Sequence, residues 1–238
     1  MARSPQPVAV ITGAGRGIGR ATAVELARAG YRVVLAGRDE GALHETLALA
    51  GGDGVGVAVV TDVSKPDDVE RLIAVAHDDF GRVDALVNNA GYAPVRSIRE
   101  MTIPEWRAVL DTNLSAAFYA TRAVWPLFEQ QKSGVVVNIS SAAARDPFPG
   151  FAAYGAAKAG LNLFGLSAAR EGERIGVRVH TIAPAATETE MFRGIMSHDQ
   201  YPTEKTMDPA DVARVVLQCV RGDLRHASGE VIYLHKTL

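Results

Sequence analysis

Between Val8 and Leu234, seven short runs of apolar, largely β-branched residues recur: Val8–Thr12, Tyr31–Ala36, Val55–Val60, Ala85–Val87, Val135–Ile139, Val177–Ile182 and Val231–Leu234. They alternate with longer stretches of helical patterning: Gly17–Ala29, Gly41–Ala50, Pro66–Phe80, Pro104–Gln131, Tyr154–Arg174 and Pro209–Arg221. A strand that is apolar at nearly every position must be covered on both faces, which is the pattern of a parallel sheet. Right-handed crossovers then wind the chain into an α/β, doubly wound sheet. No linker, repeat or low-complexity segment interrupts the alternation, so residues 1–238 are expected to form one domain.

Bulk numbers exclude several classes. The chain has 238 residues, 47% hydrophobic and 22% charged, with a net charge of −2. It carries no basic patch for nucleic acid and no apolar run near the ~20 residues of a membrane span. The opening "MARSPQP" is short and polar, so no secretory signal is expected. One cysteine, Cys219, fits a reducing, cytoplasmic setting, and its place in the apolar stripe of "DVARVVLQCV" makes it a core residue rather than a nucleophile. The six histidines lack metal-ligand spacing, so no metal is expected.

In open α/β sheets, ligands bind beyond the carboxyl ends of the strands. There stand "TGAGRGIG" (Thr12–Gly19), "GRD" (Gly37–Asp39), "TDVS" (Thr61–Ser64), "NNAG" (Asn88–Gly91), "SSAAA" (Ser140–Ala144) and "APAATET" (Ala183–Thr189). The first follows a strand and opens a helix, where backbone amides and the helix's positive end suit a phosphate. Ile18 occupies the third glycine position of a fingerprint counted from Gly13 and Gly15, so the working pattern is TGxxxGxG. Gly13 would allow the tight turn, Gly17 the close approach to pyrophosphate and Gly19 close helix packing. Farther on, "YGAAK" sets Tyr154 and Lys158 one helical turn apart on one face, a phenol beside an ammonium. A neighbouring cation favours phenolate, so the pair reads either as an ordinary surface pair or as an acid/base and its tuner, with room cleared around it by Gly155, Ala156 and Ala157.

Together, Thr12–Gly19, Asn88–Gly91, Asn113 in "DTNL", Ser141 thirteen residues before Tyr154, and the Tyr154–Lys158 pair resemble the short-chain dehydrogenase/reductase family over Pro7 to about Leu234. The resemblance implies a Rossmann-type, seven-stranded parallel sheet and hydride transfer between a nicotinamide cofactor and a carbonyl or alcohol. It implies Tyr154 as general acid/base, Lys158 on the nicotinamide ribose, Ser141 on the substrate oxygen and Asn113 in a proton relay to Lys158. Asp62 and Val63 would flank the adenine, and Asn89, Ala90 and Gly91 would line the cofactor groove with Gly15 and Ile18. Thr187 and Thr189, after Pro184, would meet the carboxamide. Ala185 stands where the family usually has glycine, and the ending "SGEVIYLHKTL" lacks its Asp-Gly-Gly. Asn88 is expected to bond backbone between strands.

Three further expectations concern partners. Residues about 190–207 form the substrate lid, and Met191, Phe192, Ile195 and Met196, with Phe148 and Phe151, line an apolar pocket or pack in the core. A homodimer or homotetramer is expected through the Pro104–Gln131 and Tyr154–Arg174 helices, with Leu161, Phe164, Gly165 and Ala168 as the contact stripe. NADP(H) is expected over NAD(H), because Gly37 stands where NAD recognition wants a carboxylate and Arg38 follows. Arg38, and Arg16 from the glycine loop, suit a 2′-phosphate. Asp39 is expected to cap the next helix. A nucleotide-binding regulator without turnover and a methyltransferase are the competing readings. The first would not need the Asn–Ser–Tyr–Lys set, and the second would leave the YxxxK helix without a role.

Overall fold

The structure is a computed structural model describing residues 6–236, so most of the N-terminal segment read for a secretory signal lies outside the described residues. The seven strands are β1 (Val8–Thr12), β2 (Arg32–Gly37), β3 (Gly56–Val60), β4 (Ala85–Asn88), β5 (Gly134–Ile139), β6 (Val177–Pro184) and β7 (Val231–Leu234). They form one parallel sheet in the order β3-β2-β1-β4-β5-β6-β7. The order reverses beside β1, where the crossovers part to opposite faces and leave a crevice.

Each face is covered by three helices. α1 (Gly17–Arg28), α2 (Glu40–Ala50) and α8 (Pro209–Arg221) bury Leu26, Leu43 and Val216 against Ile11, Leu35 and Val137. α3 (Pro66–Phe80), α5 (Ala116–Gln131) and α6 (Ala152–Gly172) bury Leu72, Phe128 and Ala168 against Val10, Leu86 and Val136. Cys219 is fully buried on the first face, and burial pushes its thiol up to about 12. α8 starts at a capping box between Asp208 and Asp211 with Pro209 following, and α3 likewise opens on Pro66.

Three expectations are corrected. The stretch Pro104–Gln131 is not one helix: α4 (Ile103–Leu110) passes through a π turn at Asp111–Ser115 into α5. The Asn113 side chain is the cause, because its Nδ2 donates to the Val109 carbonyl at 2.9 Å. That carbonyl would otherwise accept the Asn113 backbone amide in a regular ladder, and the competition widens the turn. Asn88 bonds a side chain, not backbone: its Nδ2 donates to Asn138 Oδ1 at 2.9 Å, on the strand beside it. The stripe Leu161, Gly165 and Ala168 faces the molecule's interior, and a Cβ on Gly165 would overlap Thr181 Oγ1. The large apolar side chains exposed on α5 and α6 are Phe118 and Leu163, with Phe164 half-buried against Phe118.

Candidate active site

The loops after β1 to β6 enclose a cleft of about 1390 Å³. Every site residue expected from the sequence lines it except Thr12, Gly19 and Asn113, which are buried behind its wall.

At the glycine loop, Gly13 and Gly17 take φ of +64° and +53°, the left-handed region that side chains other than glycine avoid. Gly19 lies so close to the Gly13 carbonyl that a Cβ there would overlap it. The loop is braced from β4: Asn89 Nδ2 donates to the carbonyls of Thr12 (2.8 Å) and Gly13 (3.1 Å). Thr12 Oγ1 in turn accepts from the amides of Asn89 (3.0 Å) and Ala90 (3.1 Å). Thr12, Gly19 and Asn89 therefore shape the turn. No side chain caps the start of α1, whose first amides stay open toward the cleft. A bare helix start behind a glycine turn fits a dinucleotide's diphosphate.

Charge gathers at the end of β2. Asp39 caps α2, accepting from the Ala42 amide at 3.1 Å, as the sequence reading expects. Arg38 is exposed beside it on the cleft, and among the described residues it has no ion pair. Across the groove the Ser64 hydroxyl holds Asp62 below the usual carboxylate range, with Lys65 and Arg38 adding to the effect. Arg16 turns the other way: its Nη1 meets Glu190 Oε2 at 3.0 Å.

α6 carries Tyr154 and Lys158 on the cleft wall. Lys158 is buried, donates from Nζ to the Ile139 carbonyl at 2.8 Å, and sits 5.6 Å from the Tyr154 ring centroid. Ser141 lies across from them, with Oγ accepting from the Ala143 amide at 3.1 Å. Burial pushes the Tyr154 phenol up to about 12, opposed by the Ser141 side chain, although part of the ring faces the cleft. Burial also brings Lys158 down to about 7. Desolvation is the leading cause for both groups. The small residues between them do not face the cleft. A Cβ on Gly155 would crowd the Ala143 carbonyl at 3.0 Å and Pro147 at 3.1 Å, Ala157 packs in the core, and Ala156 is exposed. They let α6 seat against the Ser141 loop and α4.

Asn113 is 2% exposed, and its amide is engaged with Tyr92 N (3.3 Å), Tyr92 O (2.7 Å) and Val109 O. Pro184 ends β6, while Thr187 Oγ1 donates to Ala185 O at 3.0 Å and Thr189 caps α7 (Glu190–Arg193). Ala185 keeps regular pairing, its amide donating to Leu234 O at 2.9 Å, so β7 is joined to the sheet despite the altered ending.

The sequence reading missed the groups that organise residues 188–206. Arg193 donates to both Glu188 oxygens at 2.6 and 2.5 Å and also reaches the carbonyls of Met196, Ser197 and Tyr201. This pairing brings Glu188 down to about 2. The segment closes at its base, where Glu188 N donates to Met207 O and Met207 N to Ala186 O, both at 2.9 Å. Two opposite charges five residues apart were the available signal.

Comparison with known proteins agrees with this arrangement. Residues 7–200 match the family model described as short chain dehydrogenase. A 3-oxoacyl-[acyl-carrier-protein] reductase of Synechocystis sp. is 40% identical over 190 residues, covering 79% of this chain and 77% of that protein. The crystal structure of a 3-ketoacyl-(acyl-carrier-protein) reductase from Brucella melitensis complexed with NADH superimposes with a TM-score of 0.91 at 27% identity, covering 98% of each chain. A variant of actinorhodin polyketide ketoreductase with NADPH gives 0.91 at 27% identity, covering 99% of this chain and 98% of that one. A glycine turn, a braced β4 loop and a Ser–Tyr–Lys wall on one Rossmann-type sheet thus coincide with close likeness along nearly the whole chain, and the protein belongs to the short-chain dehydrogenase/reductase family of nicotinamide-dependent oxidoreductases.

Proposed function

We propose that this protein reduces a ketone to a secondary alcohol, reversibly, with Tyr154 as general acid/base. The observation that carries the reading is the placement of Ser141, Tyr154 and Lys158 on one wall of the cleft that also holds the glycine turn. Gly13, Gly15, Gly17 and Ile18 would hold the diphosphate, Asp62 and Val63 the adenine, and Ala90, Gly91, Pro184, Thr187 and Thr189 the nicotinamide half. The nicotinamide supplies or accepts the hydride when bound. Ser141 orients the carbonyl oxygen, and Tyr154, kept protonated by burial, delivers the proton to it. Lys158 has one donor on Ile139 O and further donors for the ribose. Asn113 serves the relay through the π turn that it holds, since its side-chain amide is already engaged.

We infer a preference for NADP(H). Arg38 has no ion pair among the described residues and stands at the end of β2, where Gly37 offers no carboxylate and Asp39 is occupied as a cap. One domain, closed by residues 190–207 as a substrate lid, carries the whole reaction. The exposed Phe118 and Leu163 are the proposed contact for a homodimer or homotetramer. No described helix is long and apolar enough to cross a membrane, and the buried cysteine fits a reducing cytoplasm. The test is consumption of NADPH and of NADH against a panel of ketones. Absence of turnover with every ketone and either cofactor would overturn the reading.

A further inference from the structure

Beyond Tyr154 the cleft changes character. The Phe151 ring meets Tyr154 edge-on, with centroids 5.3 Å apart at 76°, and Phe148 lies against Phe151 at 3.9 Å and 60°. Three rings thus run in a column from the reacting phenol to the mouth. Phe151 is 4% exposed and heads α6, its carbonyl accepting from Gly155 N at 2.7 Å, so the middle ring is fixed. Phe148 is 40% exposed yet held stiffly, between Pro147 and Pro149 in a loop tied by Arg96 N to Gly150 O at 3.1 Å. A large ring rigidly presented to a cleft is a binding surface rather than core.

The other side of the chamber is apolar and adaptable. Met191, also 40% exposed, reaches to within 3.6 Å of where a Cβ on Gly91 would stand, and Ile195 and Met196 follow it along the lid. Thioethers repack around flat ligands at little cost. The charged cleft-lining side chains of α4, the π turn, the Phe148 loop and the lid are Arg107, Asp111, Asp146 and Glu190, the last paired with Arg16. Arg107 and Asp146 are exposed and of opposite sign, and Asp111 accepts from Ser115 Oγ at 3.4 Å. Among the described residues the buried cation on this cleft is Lys158, held on the Ile139 carbonyl beside Tyr154, and none of the charged groups toward Phe148 is buried.

The geometry points to an uncharged ketone whose carbonyl adjoins an aromatic or flat cyclic group, seated against Phe148 and Phe151 with the Met191 side of the lid above it. This rests on the carbonyl reduction proposed above and names its substrate class. Contact with the exposed Phe148 ring, backed by the buried Phe151, favours a flat apolar group over an open chain by about tenfold. The column also aims the carbonyl, because its last ring is Tyr154 itself.

Two ketones separate the possibilities: acetylnaphthalene and the open-chain thioester acetoacetyl-N-acetylcysteamine. For the wild type, kcat/KM with acetylnaphthalene should be about tenfold or more above that with the thioester. Phe148→Ala, whose ring is exposed and whose loss does not threaten folding, should lower that ratio by about tenfold, and Phe151→Leu should lower it in the same direction. Calorimetry on the NADP⁺-loaded protein should give weaker acetylnaphthalene binding in Phe148→Ala. Preference for the thioester, or an equal loss on both ketones in Phe148→Ala, overturns the assignment while leaving carbonyl reduction standing. Failure to turn over any ketone removes the reaction. Calorimetry then decides the seat alone: wild-type affinity in Phe148→Ala would sink it.

Discussion

Lys158 Nζ is moored to the carbonyl of Ile139 at 2.8 Å, one helical turn from Tyr154, and both side chains are shaped by burial more than by each other. Burial lowers Lys158 from 10.5 to about 7. Between those values the unfolded chain binds the extra proton, so the contribution of this residue to stability rises with pH across that window and is least below it. Lys158→Met removes the effect. The wild type should therefore gain urea stability relative to Lys158→Met as pH is raised from about 7 towards 10.5. A difference that stays flat over that range would refute the burial argument.

Tyr154→Phe keeps the ring on Phe151 and removes only the proton donor. Turnover should fall by about 10²-fold or more, the scale of general acid/base catalysis. Melting temperature and NADPH affinity should hold near wild type. Activity within a few-fold of wild type would end the mechanism.

Cofactor choice should reside in Arg38. Arg38→Asp exchanges a guanidinium that has no ion pair among the described residues for a carboxylate able to accept from a ribose hydroxyl. The NADPH Michaelis constant should rise by about tenfold or more, far beyond any change for NADH. Higher catalytic efficiency with NADH in the wild type would point instead to Asp39.

The Arg193–Glu188 pair should set the order of the lid. Arg193→Met abandons both carboxylate contacts and three carbonyls at once. Cleavage between residues 194 and 202 by a broad-specificity protease should accelerate, and substrate KM should rise about tenfold. The melting temperature should move by only a few degrees, because the pair lies outside all three core clusters. Unchanged cleavage would mean that the lid is ordered by other contacts.

Most of the sheet was legible because its strands are local statements: Val8–Thr12 and Val231–Leu234 have the same bounds in sequence and structure. Pro66 and Pro209 mark their helix starts without ambiguity, and Asp39 caps where its residue type suggests. What escaped depends on distant partners. The Asn113 side chain is held in place by Tyr92, 21 residues before it, and Arg16 finds Glu190 across 174 residues. The stripe of Leu161, Gly165 and Ala168 was read as outward because apolar spacing states that a face is covered, not by what. The burial that acts on both Tyr154 and Lys158 is invisible in a sequence, which shows only their spacing.

The neck at Ala186–Glu188 and Thr206–Met207 has a consequence for how such a protein diversifies. Its two sides are bonded to each other, and Thr206 Oγ1 meets Glu188 Oε2 at 2.9 Å, so the chain between them starts and finishes at one point. Insertions, deletions or wholesale replacement between residues 191 and 205 leave the strand register, Thr189 and the Arg16–Glu190 contact of the glycine turn where they are. Selection can thus rewrite the chain above the neck while the sheet and the glycine turn below it are inherited.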